Sequence, residues 1–112
     1  MGLMADALDL IRSQCLVAGI RAETDPRNVN APGAWITVEN VTHSATLGCS
    51  TVRVNVYLVV PNTGTEQALS ELDRLLDSLL RVVEPDAPTT PTQVALPDGS
   101  ELPAVRVTVD VN

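Results

Sequence analysis

Hydrophobic positions along this chain recur with two periods, one between three and four residues and one of two. Met4, Leu8, Ile11, Cys15 and Ala18 follow one another at spacings of four and three. That spacing predicts an amphipathic helix, its apolar stripe widened by Leu3, Leu10 and Val17. Gly19 stands where a left-handed C-terminal cap falls. Ile20 to Thr24 alternates briefly, as a short strand does. Asp25 to Gly33 holds two prolines, two asparagines and a glycine, which predicts a loop.

Ala34 to Val41 predicts a strand with Ile36 and Val38 on one face and Trp35, Thr37 and Glu39 on the other. Thr42 to Cys49 is polar and reads as the loop after it. Val52, Val54, Val56, Leu58 and Val60 then alternate strictly with Arg53, Asn55 and Tyr57. One face of that strand belongs in a core, and the other meets solvent or a partner. Pro61 and Asn62 end it. Thr63 and Glu66 have the spacing of a capping box. Leu69, Leu72, Leu76, Leu79 and Val83 predict the buried stripe of a second helix, with Asp77 and Arg81 paired on its outer side and Pro85 as the stop.

Glu84 to Pro91 reads as an extended connector. Pro97-Asp98-Gly99-Ser100 is a tight-turn signature between Val94–Leu96 and a return starting at Glu101, and Pro103 places that small hairpin at an edge. Val105, Val107, Val109 and Val111 close the chain facing in, with Arg106, Thr108 and Asp110 facing out. The expected fold is a single α+β domain over residues 1–112, a mixed or antiparallel sheet with both amphipathic helices on one face.

Composition narrows the function. Trp35 and Tyr57 are the only aromatic residues, so the core must be aliphatic and stacking on bases has little to use. The net charge is −7 and every basic residue is Arg, a balance that repels phosphate backbones yet suits a surface past which a duplex must slide. Asp6, Asp9 and Arg12 interrupt the first apolar stretch, which argues against a signal peptide. No run approaches a membrane span. Cys15 and Cys49 are too few for a disulfide framework, and we expect two reduced thiols in a cytoplasmic protein.

Catalytic chemistry is sparse. His43 is the only histidine, without zinc-type spacing to Cys15 or Cys49, and Ser44 beside it lacks a nucleophile-elbow motif. Asp6 and Asp9 complement a helix dipole, and Asp73 and Asp77 belong to a solvated helix face. Gly64 and Gly99 are isolated turn glycines, not a phosphate loop. We therefore expect no catalytic residue, no cofactor and no metal. The outward strand positions carry more information. Arg53, Asn55, Tyr57, Arg106 and Asp110 form the candidate subunit interface, since Arg and Tyr favour interface centres. The competing reading is an ordinary polar β-surface.

The whole-chain pattern resembles the tail terminator proteins of long-tailed bacteriophages, particularly those of actinobacteria. The resemblance rests on size and on the helix ending Leu16-Val17-Ala18-Gly19-Ile20. It rests also on the entry Pro32-Gly33-Ala34-Trp35-Ile36, the one-sided strand Val52 to Val60, the acidic helix Glu66 to Val83, the Pro-Asp-Gly-Ser turn and the valine-rich end. It implies a virion protein of the tail and neck, assembled in the host bacterial cytoplasm. In that family a homohexameric ring caps the tail tube, stops its polymerisation and joins the tail to head-completion proteins. DNA passes through its lumen without specific binding, and no membrane is involved. Another head–tail connector component, a stopper or adaptor, is the first alternative. A small ligand-binding module or a small enzyme belongs to a different class.

Overall fold

The computed structural model of the chain describes residues 2–44 and 49–112. Helix α1 spans Leu3–Val17 and buries Ala7, Ile11 and Cys15. Its end is a Schellman arrangement: Gly19 takes φ 79°, the Gly19 N–H donates to the Leu16 carbonyl, and the Ile20 N–H donates to that of Cys15. Strand β1 is only Ala22–Glu23, and a 3₁₀ turn at Pro26–Asn28 follows, with the Asp25 carboxylate accepting from the Arg27 N–H. Strand β2 runs over Gly33–Ser44 and pairs with β1 in parallel through Ala34 and Trp35. Gly33 is required there, because a Cβ would lie 2.5 Å from the Asn30 carbonyl oxygen.

Strand β3 (Cys49–Val59), helix α2 (Thr65–Leu80), strand β4 (Thr90–Ala95) and strand β5 (Glu101–Val111) complete the chain. The sheet order is β1-β2-β3-β5-β4, antiparallel except for β1 against β2. Both helices pack on one face. Ala7, Ile11, Cys15, Ala68, Leu72 and Leu79 meet the Val52–Val60 and Val105–Val109 rows there in one cluster. The fold class is thus the α+β arrangement read from the pattern. The central valines are fully buried, and each such side chain contributes about 1.5–3 kcal/mol.

Several local expectations are corrected. The segment Thr42–Cys49 is not all loop. β2 and β3 continue as a hairpin through Thr42↔Thr51, His43↔Ser50 and Ser44↔Cys49, and only residues 45–48 of that segment lie outside the described residues. The alternation is invisible in sequence there because this hairpin end reaches beyond the main core and carries polar residues on both faces. Met4 is half exposed rather than buried, since the first turn of α1 overhangs that end of the sheet. Ala7 takes its place in the stripe, and Leu3, Leu10 and Val17 lie on an exposed flank.

In α2 the buried stripe is Ala68, Leu72, Leu75 and Leu79, so Leu69 stands exposed over the space beside Thr92 and Gln93 of β4. The Thr63–Glu66 capping box does not form. The Thr63 N–H turns back to the Pro61 carbonyl, and Gly64, with φ 111°, occupies the cap one residue later without a side-chain bond. No Asp77–Arg81 ion pair forms, and Arg81 is the residue that caps the helix C-terminus. The Glu84–Pro91 connector ends early, because Thr90 and Pro91 belong to β4. The β4–β5 hairpin does lie at an edge, because β4 is the terminal strand, although Pro103 itself sits in β5, an interior strand. The hairpin return and the final strand are one element. Pro103 still fits, for its carbonyl accepts from the Val60 N–H.

Candidate functional site

The sheet face turned away from the helices carries the candidate residues. The β3–β5 register sets Arg53 opposite Asp110, Asn55 opposite Thr108 and Tyr57 opposite Arg106, so all five predicted positions converge on one surface. Their environments differ. Arg53 and Asp110 form a bidentate pair, Nε to Oδ1 at 2.8 Å and Nη2 to Oδ2 at 3.1 Å. The hydrogen bond from Arg53 holds the Asp110 carboxyl below the usual carboxylate range, and Asp110 in turn raises the Arg53 guanidinium. Glu39 and Asp86 add negative charge around the same guanidinium.

Asn55 and Thr108 face away from the helices and yet are buried, at 5% and 4% exposure. They form a relay across three strands. The Thr108 hydroxyl donates to Asn55 Oδ1 at 2.9 Å, and Asn55 Nδ2 donates to Glu39 Oε1 at 3.2 Å. Glu39 sits at the β-bulge between Val38 and Asn40, which turns its side chain toward Asn55. Asp86 clamps the neighbouring edge, its N–H donating to the Thr108 carbonyl and its carboxylate accepting from the Asp110 N–H at 2.7 Å.

Tyr57 has a folding role. Its ring stacks on Trp35 across β2–β3 at 5.2 Å between centroids, and Trp35 Nε1 donates to the Thr24 carbonyl. Both rings border a second apolar cluster in which Val29 of the 25–33 loop covers Val59, Val94 and Ala104. The outward face therefore has a covered apolar corner and an open polar area. Arg106 lies where they meet. It makes no ion pair among the described residues, and its Nε is buried with no hydrogen-bond partner.

Glu39, Trp35, Thr108 and Asp86 belong to this surface beside the five predicted positions. The outward alternation of Trp35, Glu39 and Thr108 was legible, but their contacts depend on a cross-strand register that no local pattern carries.

Little here resembles a reaction centre. His43 Nδ1 lies 2.7 Å from Ser50 Oγ, a contact that places this histidine on a strand rather than in a loop. No carboxylate orients the ring among the described residues. Those residues also contain no group of three His, Cys, Asp or Glu side chains able to hold a metal ion. Burial pushes the Cys15 thiol up to about 11, so it stays protonated. No described helix is long and apolar enough to cross a membrane. No protein-family model, curated protein or solved structure matches the chain.

Proposed function

We propose that this chain is a structural subunit of a bacteriophage tail, a terminator whose copies form a ring on the end of the tail tube. The observation that carries the reading is the sheet face that both helices leave open, where Arg106 has no carboxylate partner among the described residues in a chain of net charge −7. A neighbouring copy brings carboxylates in excess, so a subunit contact over this face satisfies that cation. An acidic ring also offers the passing duplex a wall that does not trap it. The whole-chain resemblance to tail terminators supplies the ring, the tube-capping role and the contact with head-completion proteins.

The test is deletion of the gene in its phage, with the lysate imaged by negative stain. Overlong tubes without heads, beside normally formed capsids, are the expected result. Normal-length tails joined to heads would exclude the role. Leaking heads beside free tails of normal length would point to the stopper or adaptor instead.

A further inference from the structure

The two sides of the sheet end differently. At the β5 side, β4 and Asp86 occupy the outward backbone groups of the last strand. At the β2 side, β1 reaches only Ala34 and Trp35, while β2 runs on to Ser44. The Ala34 N–H donates outward to the Arg21 carbonyl, which fixes the alternation along the strand. The Ile36 N–H still bonds β1, at the Glu23 carbonyl, so the outward groups without a strand beside them begin at the Ile36 C=O and continue with the N–H and C=O of Val38. After the bulge at Glu39–Asn40 the same holds for Val41 and His43, the partners of Val52 and Ser50. Among the described residues no bond from outside the sheet reaches the groups of Val38, Val41 and His43, and β1 has ended before them.

Beside this edge, on the helix side, lies an apolar groove of about 520 Å³ lined by Leu3, Met4, Leu8 and Val41. On the other side of the edge stands the exposed bulge residue Glu39. An open strand edge next to an apolar groove is the geometry of β-strand addition, in which backbone bonds give affinity and alternate side chains give choice.

We propose that the β2 edge receives an extended segment of another protein, one whose apolar side chains alternate with basic ones. The apolar set lies against the groove and the basic set beside Glu39. A second copy of this chain does not fit. Two β2 edges paired about a two-fold near the bulge bring Glu39 against its own mate, and like charges across strands are destabilising. The β4 edge offers Pro91, which has no N–H, and no basic residue between Thr90 and Ala95. The proposal goes beyond the ring reading and stands without it, since it uses a different surface.

The probe is a synthetic peptide of about ten residues alternating Leu or Val with Arg, together with an acidic twin carrying Glu for Arg. Binding is read by anisotropy, and the site by amide hydrogen exchange of the isotope-labelled chain. The expected result is slowed exchange at Val38, Val41 and His43 with the basic peptide, and at least roughly tenfold weaker binding of the acidic twin. Methylating the peptide nitrogens that face β2 abolishes binding without touching the protein. Leu3→Ser with Met4→Ser, both at exposed positions, weakens it. Equal affinity for the two twins, or protection elsewhere on the chain, overturns the proposal. So does concentration-dependent protection of these three amides in the chain alone, which would make a second copy the occupant.

Discussion

Thr108→Val removes one hydroxyl at nearly constant volume and leaves Asn55 Oδ1 buried without its donor. An orphaned buried acceptor and the lost bond together cost about 1–2 kcal/mol. Asn55→Val strands the Thr108 hydroxyl instead and frees Glu39, which is exposed, so its cost is again about 1–2 kcal/mol. In the double variant neither orphan exists, and two β-branched side chains meet across β3–β5. It should therefore lie within about 1 kcal/mol of the parent, giving a coupling of roughly 1–4 kcal/mol between the sites. Urea unfolding followed by Trp35 fluorescence and far-ultraviolet dichroism measures this as midpoint shifts at constant slope. Each single variant should also melt roughly 4–8 °C lower at this chain length. If the single costs simply add in the double variant, to within about 0.5 kcal/mol, the buried relay is not a coupled unit and its description here is wrong.

Val56→Asp places an unpaired carboxylate at a fully buried position at a cost of several kcal/mol, and should abolish the cooperative melt seen by calorimetry. Arg106→Glu should leave the melting temperature nearly unchanged but remove rings from negative-stain fields, whereas Arg53→Glu should disturb the monomer too, by facing Asp110 with a like charge. The Asp110 carboxyl is depressed by Arg53, so its contribution to stability is present above the ordinary carboxylate range and is lost as pH falls through the depressed value. Asp110→Asn should flatten that acid limb in pH-dependent urea titrations. In a Cys49→Ser background, Cys15 should resist iodoacetamide in the folded protein and react after unfolding, because its thiol stays neutral and covered.

The strict valine alternation of β3 and β5 and the spacing of both helices made the fold class and the helix-bearing face legible. The rotation of each helix was less so. Ala7 and Ala68 are weak signals in a hydrophobic pattern, yet they are where the helices approach the sheet, while Met4 and Leu69 are strong signals that overhang it. For the site, alternation identified the outward residues but not which of them the fold itself uses. The partners Arg53 and Asp110 stand 57 positions apart, and only the β3–β5 register shows that they neutralise each other. Tyr57 likewise read as an interface anchor, although its stacking on Trp35 beside the second cluster gives it a place within the monomer.

Glu39 joins these surfaces. Through Oε1 it supports the buried Asn55–Thr108 relay, and through Oε2 it accepts from Asn40 in the bulge. Glu39 is an exposed residue of β2, the strand with the open edge, and a bulge and a charge are the devices by which strand edges resist pairing with copies of themselves. In the proposed ring, where subunits would stand at high local concentration, that resistance would keep edges from pairing out of register between rings. The guard is selective by sign. A charge that repels another Glu39 attracts a guanidinium or an ammonium, so one residue both discourages self-pairing and sets the chemistry of an acceptable partner.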